Sequence, residues 1–599
     1  MTGCRRHQDE AGYAALLVAI LASTVLMGLA AVGVDTARWY AEAERLQKTA
    51  DAAALAGVTY MPNNLTGARA AAAAVAKRNG YDTTSAGIVM TVSSGDLPSE
   101  LRVSLSAPVD NAFGGFIGLD RTTITRSATA DFTAPAPMGS PCNTFGNEPP
   151  SQAAPAAQPA GSALPSSPFP NCSSTPFFWA AVEGADTDKV QGDRFMTSAC
   201  AGASTYQCAG GKNSEFRADG YYWAVHVEEE AKNTAITVQI YDPAYMRTEI
   251  NCSASPVGAY NKMNSYVTTD GKSRYSTSAT YCSGDYNPGG KSGSPPVTTF
   301  VLRAANEARN PRVATPISGC TKQFVGSSSP PTTSELSQWT NMDRATGNNS
   351  SYDLQKAQLF HQWVSLCTFT PGRAGDYYLQ VRTNVTTTGG TPVGNRNPAG
   401  VVKSSLVYEG NPNALLSEGN TLSGVGLNSF ALRAVPSDPS KASYVAVAGN
   451  ENMPILQNKA GSTATFNLIR ALPNTRGQYI AFDFFDPADG ATTSGATVRV
   501  VAPTDAKNTL KSASAIPNCT HALNGEALTP AANCTVTVRS STHNGQVERL
   551  FIPIPNDYDC NDTTLGGCWF SVAITFPSSV TDFTTWSANI TGDPVRLIE

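Results

Sequence analysis

The chain has 599 residues, too long for one hydrophobic core and matched on length to roughly three or four domains. Charged side chains make up only 15% of it, with 42 Lys and Arg against 47 Asp and Glu and no long basic run, which excludes an electrostatic footprint for nucleic acid. Fifty glycines and 39 prolines among abundant Ser and Thr point to short strands and many turns beyond about residue 80, so the fold class expected is mainly β with an N-terminal α+β part.

After a short start at 1–10, Ala11 to Val34 carries no charged residue. As a helix it is about 36 Å long, enough to cross a hydrocarbon core of about 30 Å with some tilt, so 11–34 is predicted to be a single transmembrane helix. A cleaved secretory signal is the alternative, with Ala31-Val32-Gly33 as the cleavage point, although a signal's apolar core usually runs only about 7 to 15 residues. Arg5 and Arg6 before the span and Arg38, Arg45 and Lys48 after it give no positive-inside bias. The cysteines do orient the chain. Cys4 precedes the span, whereas Cys142, Cys172, Cys200, Cys208, Cys252, Cys282, Cys320, Cys367, Cys519, Cys534, Cys560 and Cys568 follow it without CxxC spacing, which fits up to six disulfides in an oxidising compartment. The expectation is a plasma-membrane protein with its N-terminus cytoplasmic and its bulk extracellular.

From Asp35 to Ala56 there is no Pro or Gly, and Leu46, Ala50, Ala53, Ala54, Gly57 and Val58 fall on one helical face. This small-residue face suits close packing, on a partner helix or on the domain that follows. A second helix is predicted from Thr66 to Arg78, with Asn79-Gly80 as a left-handed stop. Strand-like alternation at Ile88–Val92, Leu101–Ser106 and Thr122–Phe132, with a turn or helical insert at 111–118, completes a small α+β module over 35–133. Residues 134–170, dense in Pro, Ala and Ser, read as a linker. Two disulfide-containing β-sandwich domains are expected beyond it, at 171–383 and 426–599, with a Gly/Asn/Pro-rich linker at 384–425. Duplication is suggested by Ile236-Thr-Val-Gln-Ile-Tyr-Asp242-Pro-Ala against Ile480-Ala-Phe-Asp-Phe-Phe-Asp486-Pro-Ala, and by Phe300-Val-Leu-Arg-Ala against Phe430-Ala-Leu-Arg-Ala, although the order of the pairs differs between the halves.

Four N-terminal features occur together: a charged start closing in Glu10-Ala-Gly12, the apolar span, Val34-Asp35-Thr-Ala-Arg38-Trp-Tyr40, and Leu46-Gln-Lys-Thr-Ala-Asp51-Ala-Ala-Ala-Leu-Ala-Gly57. The set resembles the N-terminal region of the TadE/TadG-like proteins of the tight-adherence, or Flp, pilus system. Thr122-Thr-Ile-Thr-Arg-Ser-Ala-Thr-Ala130 resembles the family's closing strand, so the likeness covers about residues 8 to 133. It implies a bacterial envelope protein taking part in pilus assembly, with other pilus-assembly proteins as partners and with no cofactor and no reaction. On this reading Gly12, Asp35, Arg38, Leu46, Ala50, Asp51, Ala54 and Gly57 mark the assembly helix. Gly12 is followed by Tyr13-Ala-Ala-Leu-Leu17 without a nearby acidic residue, a departure from prepilin-type processing, and no Asp-x-Ser-x-Ser loop of a von Willebrand A-type metal site occurs.

Candidate chemistry is sparse. Of the five histidines, His226 and His361 read as strand or core-edge residues, and there is no nucleophile elbow, zinc helix or phosphate loop. Asn556-Asp557-Tyr-Asp559-Cys560-Asn561-Asp562 has oxygens for calcium but lacks the EF-hand Gly and Glu, and reads as a loop stapled by Cys560 and Cys568. Asp242 and Asp486 read as turn residues. Tyr221, Tyr222, Trp223, Tyr377, Tyr378 and Trp569 read first as core and second as a sugar-stacking platform. The function expected is a structural role in Flp pilus assembly, without catalysis and without metal or cofactor. The alternative is an anchored adhesin or glycan-binding protein, meeting cell wall or surface glycan, whose N-terminus is only a tether.

Overall fold

The computed structural model describes residues 7–61, 65–95, 100–132, 136–139, 141–146, 178–202, 204–247, 285–306, 309–327, 354–360, 363–384, 391–393, 405–410, 422, 424–459, 463–487, 495–510, 516–577, 580–591 and 595–598. The chain divides into two compact units: Met1–Ala134 with Gly592–Glu599, and Pro135–Thr591.

The first unit is built on α1 (His7–Val58), an unbroken helix of 52 residues. Its apolar first half is exposed: Leu26 is 66% and Met27 72% exposed. From Asp35 onward one face is buried through Ala43, Leu46, Ala50, Ala53, Ala54 and Val58. That face is covered by α2 (Leu65–Arg78) and by an antiparallel sheet of β1 (Val89–Ser94), β2 (Glu100–Asp110) and β3 (Arg121–Phe132). The small-residue face read from the sequence thus packs inside the module. α2 ends as expected, at Gly80 with φ +95°, where the Tyr81 and Gly80 N–H groups donate to the Ala76 and Lys77 carbonyls.

Gly57 sets the close approach of the three layers. A methyl group there would stand 2.6 Å from Leu101 Cδ2 and 2.8 Å from the Ala68 carbonyl oxygen. The sheet has a fourth strand that the sequence assigned to the second sandwich: Val595–Ile598 pairs antiparallel with β3, Val595 opposite Phe132 and Ile598 opposite Thr129. The larger unit is therefore an insertion between two neighbouring strands of the smaller one.

The larger unit is mainly β, as expected, but its strands do not sort into two sandwiches. One antiparallel ladder runs Trp363–Phe369, Ile236–Tyr241, Leu427–Pro436, Phe178–Glu183, Asn452–Lys459, Val580–Thr591, Tyr479–Phe485, Val547–Pro553, Thr520–Leu523. A second runs Pro316–Val325, Val297–Arg303, Gly375–Asn384, Tyr221–Val227, Val445–Asn450, continuing through Met138 to Thr463–Arg470, Trp569–Thr575, Ala496–Val501 and Thr535–Val538. Edge-to-face rings close the space between the ladders, with Trp223 and Phe300 against Phe430 at 5.6 and 5.3 Å, and Phe466 stands 4.8 Å from Trp586.

Both ladders cross the boundary expected at 384–425, and the buried apolar residues of the two halves join one core. The physical reason is that long-range pairing overrides local order: the second Phe-x-Leu-Arg-Ala strand hydrogen-bonds to the first Asp-Pro-Ala strand, Ile240 opposite Leu432. Residues 136–146, expected in the first linker, supply two short strands, Pro137–Met138 and Thr144–Phe145, to this unit. The remainder of that linker from 147, and most of 384–425, lie outside the described residues.

Four disulfides join described residues: Cys200–Cys208, Cys320–Cys367, Cys519–Cys534 and Cys560–Cys568. Cys142 is also disulfide-bonded, while Cys172, Cys252 and Cys282 lie outside the described residues. Cys320–Cys367 ties the two ladders together at one end, and Cys519–Cys534 does so beside the strands at the other. Closing loops of 47 and 15 residues in the unfolded chain stabilises by about 4 and 3 kcal/mol respectively on the chain-entropy argument.

Replacing Gly57 by Val is expected to destabilise the smaller unit by about 1–3 kcal/mol through overpacking. Hydrogen exchange checks it: α2 amides lose protection in Gly57→Val and keep it in Gly12→Val, where a Cβ meets nothing within 4 Å.

Candidate functional site: the N-terminal helix and its hairpin

Asp35 is the first residue after the charge-free span, yet it is buried, at 4% exposure. Its carboxylate accepts three backbone N–H groups from the tip of the β2–β3 hairpin: Ala112 at 2.6 Å, Phe113 at 3.1 Å and Gly114 at 2.8 Å. Burial alone would raise its pKa, but these donors and Arg38 outweigh burial and hold the carboxyl below its usual value. One turn further along α1, Trp39 Nε1 donates to Asn111 Oδ1 at 2.7 Å, and Asn111 Nδ2 closes the tip by donating to the Leu119 carbonyl. The short 3-10 turn Gly114–Ile117 then ends at Gly118 in the left-handed region.

The other residues of the expected assembly helix divide by face. Leu46, Ala50, Ala54 and Gly57 are buried in the module. Asp51 Oδ1 accepts from Gln47 Nε2, which also donates to the Ser127 carbonyl of β3. Gly12 and Arg38 are exposed, and so are Ala37, Tyr40, Ala41, Glu44, Arg45 and Lys48. The surface that α1 leaves to a partner is therefore its apolar span and this polar face, while the small-residue stripe is taken up internally.

In the larger unit the candidate groups are engaged by one another. His226 Nδ1 lies 2.6 Å from Asp376 Oδ1, and its Nε2 faces Glu228 at 3.5 Å. Burial opposes protonation of this imidazole, but the two carboxylates outweigh it and raise the pKa to about 9. His361 lies outside the described residues. His521 and His543 flank the buried Glu548 carboxylate at 2.8 and 3.3 Å. Among the described residues no group of three or more His, Cys, Asp or Glu is arranged to hold a metal ion.

The loop at 556–562 is stapled by Cys560–Cys568, Asp557 accepts from Thr509, and Asp559 pairs with Lys507. Asp242 and Asp486 both follow a strand with φ near +55°, at 55° and 56°, and both are buried, as turn residues are when the strand must end abruptly. The six aromatic residues weighed as a sugar platform are core: Trp223 is 0% exposed, and Tyr222, the most exposed of them, 5%.

Sequence reasoning missed a buried ionic cluster. The Lys189 ammonium, fully enclosed, donates to Glu215 Oε2, Asn213 Oδ1 and the Tyr206 carbonyl. Arg194 bridges Glu215 and Asp483, and Arg549 pairs with the other side of Asp483. Burial would raise the Glu215 pKa, but Arg194 and Lys189 outweigh it and hold the carboxyl down. Lys189 and Arg549 stand about 360 residues apart in the chain, so no local pattern could have found the cluster. The cluster locks the loop closed by Cys200–Cys208 onto strands Tyr479–Phe485 and Val547–Pro553.

The His226 pair makes stability pH-dependent. Because the folded pKa is raised, its contribution is complete below about pH 6.5 while Asp376 is ionised, and is lost as pH rises through about 9. Chemical denaturation at pH 6 and pH 9.5 is expected to show a fall on the order of 2 kcal/mol in the larger unit that His226→Gln abolishes.

Comparison with known proteins bears on the helix. No curated protein matches the chain. Residues 12–76, which cover α1 from the start of its span and nearly all of α2, match the family model Tad, described as "Putative Flp pilus-assembly TadE/G-like". Over residues 12–76, therefore, the chain is similar to the TadE/G-like family.

Proposed function

We propose that the chain is a single-pass, membrane-anchored envelope protein with a structural role in Flp pilus assembly, its N-terminus cytoplasmic and its bulk outside. The observation that carries the reading is α1 itself. A helix long and apolar enough to cross a membrane, with none of its most apolar window buried, passes without a break into a folded module over a segment that is TadE/G-like. Apolar side chains at more than half exposure over several turns are stable only when something covers them, and lipid is the cover that suits a charge-free span of this length.

The role is structural rather than catalytic. Both ring nitrogens of His226 face carboxylates rather than a nucleophile, and the large unit invests its charged groups in internal pairs. Assembly runs through the apolar span and the exposed face of α1, since its small-residue stripe is already occupied. The partners are the membrane and other pilus-assembly proteins.

The rival reading is an anchored adhesin or glycan-binding protein in which the helix is a tether. The six aromatic residues weighed as a sugar platform lie in the core and lend it no support. Exchanging residues 12–34 for an unrelated membrane helix separates the two readings. Pilus assembly is expected to be lost while the protein remains in the membrane fraction, and unchanged assembly would reduce the helix to a tether.

A further inference from the structure

The tip of the β2–β3 hairpin sits where the charge-free span ends, and the lengths of the packed elements fix it there. From Asp35 to Gly57, α1 rises about 33 Å. From Leu101 to Asp110 the antiparallel β2 covers about 31 Å, and Ala112 follows two residues on. Gly57 meets Leu101 at one end of this match and Asp35 meets Ala112 at the other. The tip therefore cannot slide along the helix, and it lies level with the first residue after Val34.

The composition of the tip is unusual for a solvent-facing turn. Ala112 to Leu119 contains no charged residue, Phe113 is 43% exposed, and Leu119 is 55% exposed. On α1 beside it, Tyr40 is 73% exposed, six residues and about 9 Å beyond the span. Single exposed apolar residues are ordinary on soluble surfaces, but these cluster at the one level of the module where a bilayer surface would lie. The backbone is arranged for such a place. Where water is scarce, unpaired N–H groups are costly, and the donors of 112, 113 and 114 are all taken by the Asp35 carboxylate.

We propose that residues 112–119 form a second membrane contact, in which Phe113 and Leu119 enter the headgroup and upper acyl region beside the exit of α1, with Asp35 fixing the tip against the helix. The proposal rests on the reading of residues 12–34 as membrane-spanning. Its consequence is that the module cannot swing freely about the end of its anchor, because two points rather than one hold it to the bilayer.

The test uses the full-length chain, with Cys4→Ser, reconstituted into phosphatidylcholine/phosphatidylglycerol vesicles and carrying one bimane label at a time. Labels go on Phe113→Cys and Leu119→Cys at the tip, on Ser93→Cys, which is exposed and pairs with Arg102 toward the far end of β2, and on Val25→Cys within the span. The tip labels are expected to be quenched by shallow nitroxide lipids at least about twofold more than the Ser93 label, and to be shielded from aqueous iodide. Tip labels as open to iodide as the Ser93 label, with the Val25 label still quenched by lipid, would overturn the second contact and leave the anchor standing. Shielding from iodide without lipid quenching would also overturn it, in favour of a protein partner at the tip. Loss of lipid quenching at Val25 would remove the membrane-spanning reading itself.

Discussion

A helix that leaves a charge-free segment and becomes the spine of a folded domain must satisfy the backbone of whatever packs beside it at the point of change. Asp35 does this here. Its carboxylate binds three consecutive N–H groups of the β2–β3 tip, Trp39 holds Asn111 one turn on, and 22 residues later Gly57 lets β2 and α2 close against the same helix. Between those two fixed points the small residues Ala50, Ala53 and Ala54 set the spacing, and the sheet packs along this half of the helix. The apolar span and the module thus share one unbroken helix.

That element also organises the rest of the chain. β3 and Val595–Ile598 are neighbours in one sheet, so the chain leaves the small module at Phe132 and returns to it at Val595, directly opposite in register. Pro135–Thr591 is a single compact unit, and the described residues of its two halves share ladders, a core and the buried Arg194–Asp483 ion pair. The Arg194–Asp483 pair and the pairing of Ile236–Tyr241 with Leu427–Pro436 make the halves interdependent, and inter-ladder disulfides tie the structure near both ends.

The sequence made the N-terminal elements legible because their signals are local and strong: a charge-free span, a helical stripe of small residues, Asn79-Gly80, and three alternating strands. It also read Asp242 and Asp486 as turns, and Cys560 with Cys568 as a staple, because each depends on neighbours within a few residues. The strand Val595–Ile598 is too short to carry a period, and Pro137–Met138 and Thr144–Phe145 sit in a composition that reads as spacer. Two sandwiches were expected because a Gly/Asn/Pro-rich stretch looks like a boundary, whereas strand order is decided by partners hundreds of residues away. Asp35 was recognisable as part of a motif, but its work as a clamp depends on Ala112 to Gly114, which only the folded hairpin brings to it.

The account turns on α1 crossing the membrane with Cys4 on one side and the disulfide-bearing unit on the other. The direct measurement is thiol labelling of spheroplasts with a membrane-impermeant maleimide, before and after permeabilisation and before and after reduction. The account predicts no labelling of Cys4 until the membrane is opened, and labelling of the half-buried Cys208 and Cys367 in intact spheroplasts once their disulfides are reduced. Labelling of Cys4 from outside, or a shortened soluble chain lacking it, would contradict the account.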